Sequence, residues 1–241
     1  MKLHGWHVSK DFTKAADTVL FLHENDGNIG QRLEYIEVLC KKVQVNVVCV
    51  AYRGFSHSGG TPSERGLKAD ARAIAQWLQR NPQIDKKRLF LVGRSLGGSV
   101  ALHLLAEDAF VDLFRGAVIE NTWSSFKEVA GEMFVLFKVF PFLKRFVLQI
   151  QWDNTALMHK IGCAVFVVGG DKDTFVPVKM TQSLYASCQN KRRELMVVKQ
   201  GNHNNTWSKN QPVYVERLRS FIAKNRASAQ IDTSNRIYEI D

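Results

Sequence analysis

Five consecutive residues, Gly93-Arg94-Ser95-Leu96-Gly97, set a serine between two glycines in the pattern G-x-S-x-G. They follow the apolar run RLFLV at residues 88–92 and open a stretch of small and apolar residues, SLGGSVALHLL. A serine on such a strand-to-helix turn is held out at the carboxyl end of a sheet, where its hydroxyl can act as a nucleophile. The elbow residues Gly93 and Gly97 are glycines because side chains there would meet the neighbouring strand and helix. The helix N-terminus behind the serine favours developing negative charge. A hydroxyl is a weak nucleophile without a base, so the chain must also supply a histidine and an acid.

Seven histidines are available, at positions 4, 7, 23, 57, 103, 159 and 203. On this type of turn the order along the chain is serine, acid, histidine. Only His159 and His203 follow Ser95. His159 precedes the apolar run at 164–168, so no strand-end acid separates it from Ser95. His203 lies in the loop QGNHN after the run LMVVK, where a base is expected. The acid is expected just beyond residues 164–168, in GGDKDTFVP. Two aspartates compete there. Asp173 lies further into the loop and can reach the next loop, whereas Asp171 sits on the glycine turn and could bond backbone amides instead. An oxyanion hole needs two backbone N–H groups. Leu96, next to the nucleophile, supplies one, and the loop after TVLFL (His23-Glu24-Asn25-Asp26-Gly27-Asn28) supplies the other, with Asn25 favoured. His23 reads as structural.

These residues need a scaffold. Runs at 18–22, 45–52, 88–92, 117–120, 164–168 and 195–199 are apolar on both faces, which a parallel sheet covered by helices on both sides requires. Between them, Ser63 caps a helix that ends at Asn81-Pro82, a second helix runs from Ser95 to about Glu107, and a third starts at Pro177. A fourth carries Val213, Leu218, Phe221 and Ile222 at helical spacing. The alternation implies an α/β, doubly wound, mostly parallel sheet in one domain over residues 1–225. An aromatic-rich insert at about 121–155 interrupts it and reads as a short helical lid. Residues 226–241 read as a polar C-terminal tail.

The chain has 241 residues, 45% of them hydrophobic, which suffices for one core without disulfide staples. Its net charge of +10 is spread over short clusters such as Lys86-Lys87-Arg88 and Lys191-Arg192-Arg193. No nucleic-acid-binding signature accompanies them, so no nucleic-acid partner is expected. Cys40, Cys49, Cys163 and Cys188 form no CxxC pair, and no metal or organic cofactor is expected. Residues 133–152 are the most apolar stretch, but Lys138, Lys144, Arg145 and Pro141 exclude a membrane-spanning helix. The N-terminus lacks a signal-peptide pattern. A cytoplasmic location, peripheral at a membrane, is expected.

The elbow, the late aspartate and the terminal histidine resemble the α/β-hydrolase superfamily. The segments His23…Asn25…Gly27-Asn28, Tyr52-Arg53-Gly54-Phe55-Ser56, Glu120-Asn121-Thr122 and Gly201-Asn202-His203-Asn204 narrow this to a resemblance with the bud-emergence-type serine hydrolases. It covers residues 2–224 and places the motif G-x-x-D-x-x-V-P on Gly170 to Pro177, which assigns the acid to Asp173. The resemblance implies a serine hydrolase acting on an ester or thioester of an apolar acyl group. A lipid-like or other small-molecule acyl substrate follows. It also implies an N-terminal membrane anchor in many relatives, and KLHGW here looks like a second strand. A serine peptidase on the same triad and a non-catalytic scaffold are the rival readings. Phe126, Met133, Phe134, Leu136, Phe137, Phe140, Phe142, Leu143 and Phe146 in the insert could line an acyl pocket or, with its three basic residues, face a membrane surface. Glu24 departs from the pattern, standing where relatives usually carry Gly. Pointing inward it would repel an oxyanion. Solvent exposure is the expectation, since an ionised Glu is rarely buried without a partner.

Overall fold

The protein is described by a computed structural model that covers residues 1–9, 16–125 and 152–226, together with the backbone of 236–240. Its sheet has the order β1-β3-β2-β4-β5-β6-β7-β8. The strands are β1 (Gly5–Val8), β2 (Thr18–Leu22), β3 (Asn46–Val50), β4 (Leu89–Arg94), β5 (Gly116–Glu120), β6 (Ala164–Gly170), β7 (Arg193–Val198) and β8 (Arg236–Ile240). Every neighbouring pair is parallel except the edge pair of β1 and β3. The chain is therefore α/β and doubly wound, as its apolar runs imply. The segment expected to be a tail departs from that expectation, because Arg236–Ile240 pairs with β7. Without this pairing β7 would end the sheet with open N–H and C=O groups.

The helices are α1 (Leu33–Glu37), α2 (Glu64–Arg80), α3 (Leu96–Leu105), α4 (Asn154–Met158), α5 (Val178–Ser187), α6 (Thr206–Lys209) and α7 (Gln211–Asn225). Strand side chains alternate between two cores. Leu20, Leu22, Leu91, Val165 and Val167 pack with Leu67 and Ile74 of α2, Val100 and Leu104 of α3, and Leu184 of α5. Val19, Phe21, Phe90, Val92, Phe166 and Val168 pack on the other side with Tyr35, Tyr214, Leu218 and Phe221. Both faces are buried, which is why the runs carry no polar alternation. The Ser63 hydroxyl accepts from the Gly66 amide and starts α2, and Asn81 ends it. After α1 the chain widens into a π-helical segment, Val38–Val43, which the sequence pattern does not announce.

The insert closes at its base. Ser125 and Asp153 form an antiparallel bridge, and the Asp153 carboxylate caps α4 through the Ala156 amide. The Phe-rich interior of the expected lid, 126–151, lies outside the described residues. Among the described residues no helix is long and apolar enough to cross a membrane. The four cysteines are free, with Cys49 and Cys163 buried in the core.

Candidate active site

Strand β4 runs directly into the turn that carries Ser95. The Ser95 backbone has φ 53° and ψ −117°, in the left-handed half that a side chain disfavours. Such a conformation persists only where its surroundings enforce it. Here the Ser95 amide donates to the Glu120 carbonyl at 2.8 Å, and the Ser95 carbonyl accepts from the Gly98 amide at 3.0 Å and the Thr122 hydroxyl at 3.2 Å. The turn is tight enough to need glycine. A β-carbon on Gly97 would overlap the carbonyl oxygens of Leu22 and His23, and one on Gly93 would overlap the backbone of α3. Leu96 is the first residue of α3, and its amide is among those a helix leaves without an internal partner.

The second loop, between β7 and α6, brings His203 to the serine. Its Nε2 lies 3.1 Å from Ser95 Oγ, and its Nδ1 lies 2.8 Å from Asp173 Oδ2. A carboxylate only accepts, so Nδ1 carries the proton and Nε2 is left to accept from the serine hydroxyl. The loop is pinned internally: the Asn204 and Asn205 amides donate to Asn202 Oδ1, and the Asn202 amide donates to Asn205 Oδ1.

The third loop follows β6. Asp173 Oδ1 accepts from the amides of Phe175 and Val176 at 2.9 and 2.8 Å, and its Oδ2 accepts from Asn121 Nδ2 at 2.8 Å besides His203. Burial alone would push this carboxyl up. The His203 hydrogen bond and charge, the Val176 amide and Asn121 together outweigh it and hold Asp173 below the ordinary carboxylate range. Asp171 has a buried Oδ1 with no hydrogen-bond partner, and it is Asp173 that meets the imidazole. His159 is exposed at the end of α4.

His23 is fully buried beside Tyr52 and Phe55. Its Nδ1 donates to the Glu24 carbonyl at 2.7 Å, and its Nε2 accepts from the Tyr52 amide at 3.4 Å. Burial pushes its pKa down from 6.5 to about 4, so it is neutral. Asn25 follows Glu24 in this same turn, beside the elbow, because Leu22 of β2 pairs with Gly93 of β4.

Glu24 corrects the expectation of a solvent-facing side chain. It is 8% exposed, and its Oε1 lies 2.8 Å from Arg32 Nη1 and 3.5 Å from Arg94 Nη1. The two guanidiniums provide what an ionised Glu needs to be buried. Beneath them, Glu120 is completely buried and accepts from the Tyr214 hydroxyl at 3.0 Å, with Tyr35 bonded to Tyr214 at 2.6 Å. Burial raises the Glu120 pKa against the pull of Arg94.

Three residues near the site were not singled out by sequence: Arg94, Asn121 and Phe175. Asn121 also donates to Thr206 Oγ1, tying the acid loop to α6. Its backbone sits at φ 46°, a conformation Asn tolerates, just past the end of β5. Phe175 places its ring 5.3 Å from the His203 ring and is 43% exposed.

Comparison with known proteins adds the following. The chain matches the prolyl oligopeptidase family over residues 55–228. It is 30% identical over 234 residues to the alpha/beta hydrolase domain-containing protein WAV2 of Arabidopsis thaliana, covering 93% of this chain and 75% of that protein. It is 30% identical over 223 residues to protein bem46 of Schizosaccharomyces pombe, covering 90% and 71%. Among solved structures, an esterase of Pyrococcus furiosus superposes with a TM-score of 0.80 at 23% identity, over 94% of this chain and 87% of that one.

Proposed function

The chain belongs to the prolyl oligopeptidase family of the α/β-hydrolase superfamily, as a hydrolase of the bem46 type, and on that premise we propose that it is a serine hydrolase cleaving an ester or thioester of an apolar acyl group. One observation carries the reading: a single imidazole reaches a strained serine hydroxyl with one nitrogen and a buried carboxylate with the other. In the proposed cycle Ser95 Oγ attacks the acyl carbonyl while His203 Nε2 takes its proton. The carbonyl oxygen becomes an oxyanion, met by the amides of Leu96 and Asn25. The intermediate collapses to an acyl-serine, and the leaving alcohol or thiol departs with the proton from His203. Water then attacks the acyl-serine as His203 takes its proton, and the second intermediate collapses to release the acid while His203 returns that proton to Ser95 Oγ. Asp173 keeps the imidazole in the correct tautomer and stabilises its cationic form.

The exposed ring of Phe175 supports an apolar acyl group, and the Phe-rich sequence of 126–151, with Lys138, Lys144 and Arg145, supports a lipid-like substrate met at a membrane surface. The family match favours a second reading, in which the same triad cleaves an amide. Turnover of p-nitrophenyl butyrate and of a peptide p-nitroanilide separates the two. The proposal expects ester turnover well above amide turnover, and a loss of about 10⁴-fold or more in kcat for Ser95→Ala. Amide turnover above ester turnover would move the assignment to a peptidase, and an unchanged rate in Ser95→Ala would end both readings.

A further inference from the structure

Arg94 is the first of the two variable residues of the G-x-S-x-G turn, yet it is turned into the protein and is 4% exposed. Its guanidinium faces three acceptors from three segments. Nη2 donates to the backbone carbonyl of His203 at 2.6 Å, Nη1 lies 3.5 Å from Glu24 Oε1, and Nε lies 3.8 Å from Glu120 Oε1. Two of these acceptors belong to the loops that the proposed reaction depends on. The His203 carbonyl is the main chain of the base itself. Glu24 immediately precedes Asn25, the proposed oxyanion donor.

Resting on the proposed serine-hydrolase reading, we propose that Arg94 is a positioning residue which, anchored by Glu24, holds the oxyanion turn and the base loop in register with Ser95.

The geometry explains how. The Glu24 carbonyl and the Asn25 N–H share one planar trans peptide and point in opposite directions. The carbonyl is held by His23 Nδ1 at 2.7 Å, and the carboxylate is held by Arg32 and Arg94. Fixing Glu24 at both ends therefore fixes where the Asn25 N–H points. On the other side, the bond to the His203 carbonyl fixes the backbone from which the imidazole extends to Ser95 Oγ. Arg94 adjoins Ser95 in the chain, so all three parts share one anchor. A planar fork can meet three acceptors in different directions, and a lysine ammonium on a flexible stem cannot. Neither Arg94 nor Glu24 touches the reacting atoms in this account. Their effect is on rate after binding, because a shift of about 1 Å in the base or donor can cost about 10²-fold.

The test measures kcat and KM on p-nitrophenyl butyrate, with far-UV circular dichroism to verify folding, for Arg94→Lys, Arg94→Met, Glu24→Gly, Glu24→Gln and the double variant Arg94→Met/Glu24→Gly. The proposal expects Arg94→Met and Glu24→Gly each to lower kcat by about tenfold or more with KM changed less than about twofold. Glu24→Gln should recover most of that loss, since its amide oxygen can take the place of Oε1 between the two guanidiniums, 2.8 Å from Arg32 and 3.5 Å from Arg94. Arg94→Lys should not restore the rate. The double variant should be no slower than Arg94→Met, because residues acting as one unit do not add. Folded single variants with wild-type kcat, or a double variant whose losses multiply, would overturn the proposal. If Arg94→Met does not fold, the Glu24→Gly and Glu24→Gln pair decides on the same criterion. A wild type that neither turns over the ester nor reacts with a fluorophosphonate at Ser95 removes the hydrolase reading, and this proposal with it. A reactive wild type with indifferent variants removes this proposal alone.

Discussion

At the scale of single residues, the site is distinguished by how completely Asp173 is satisfied. Asp173 accepts four hydrogen bonds, two from backbone amides, one from Asn121 and one from His203. Asp171, two residues earlier, makes none to the imidazole. Asp173→Asn should therefore lower kcat by about 10⁴-fold, through loss of the correct tautomer, while Asp171→Asn should leave kcat within about threefold. Steady-state kinetics on p-nitrophenyl butyrate reads both, and a reversed order would place the acid at the wrong aspartate. Asn121→Ala removes one of the four bonds to Asp173 and frees its loop from Thr206, so a smaller loss, about tenfold in kcat, is expected. From sequence, the order of serine, acid and histidine narrowed the base to His203. It left the two aspartates open until the motif reaching Val176-Pro177 was matched. Asn121 stood in a segment that carries the resemblance, but its role did not show, since its partner Asp173 is 52 residues away and one buried side-chain contact leaves no periodic trace. The same holds for the burial of Glu24, which depends on Arg32, eight residues on, and on Arg94 at the end of β4.

At the scale of elements, strands β2 to β7 were readable because they are buried on both faces and so must be largely apolar. The helix α2 was readable because Ser63 and Asn81 mark its ends chemically. The π-helical stretch Val38–Val43 was not, because its i to i+5 pairing follows no common apolar period. Strand β8 was missed because five residues of mixed polarity in a polar segment weigh little without the open edge of β7 in view. The junction of β4, the elbow and α3 is where element packing meets chemistry. Gly97 lies against the carbonyls of Leu22 and His23, so Gly97→Ala forces α3 away from β2. Overpacking of this kind costs about 1–3 kcal/mol. The urea midpoint of Gly97→Ala should fall with unchanged m-value, and kcat should fall with it because Ser95 moves with the helix. A midpoint equal to wild type would mean that the turn has slack the geometry does not show.

At the scale of the whole molecule, stability should depend on pH through His23, the fully buried imidazole bonded to the Glu24 carbonyl. Its folded pKa of about 4 lies below its ordinary 6.5. Between those values the unfolded chain binds a proton and the folded chain does not, so stability falls as pH drops through this window. The full difference corresponds to about 3 kcal/mol. Urea unfolding at pH 6.5 and pH 4 should show this loss in wild type and a flatter profile in His23→Gln. Equal slopes in the two proteins would mean that His23 is protonated or exposed in the folded state. Under the proposed function the molecule presents one activated serine. Reaction of the intact chain with a fluorophosphonate, followed by peptide mass spectrometry, measures this without knowledge of the substrate. The account predicts a single adduct on the peptide that contains Ser95, absent from folded Ser95→Ala. An adduct on another residue, or none on folded wild-type protein, would contradict it.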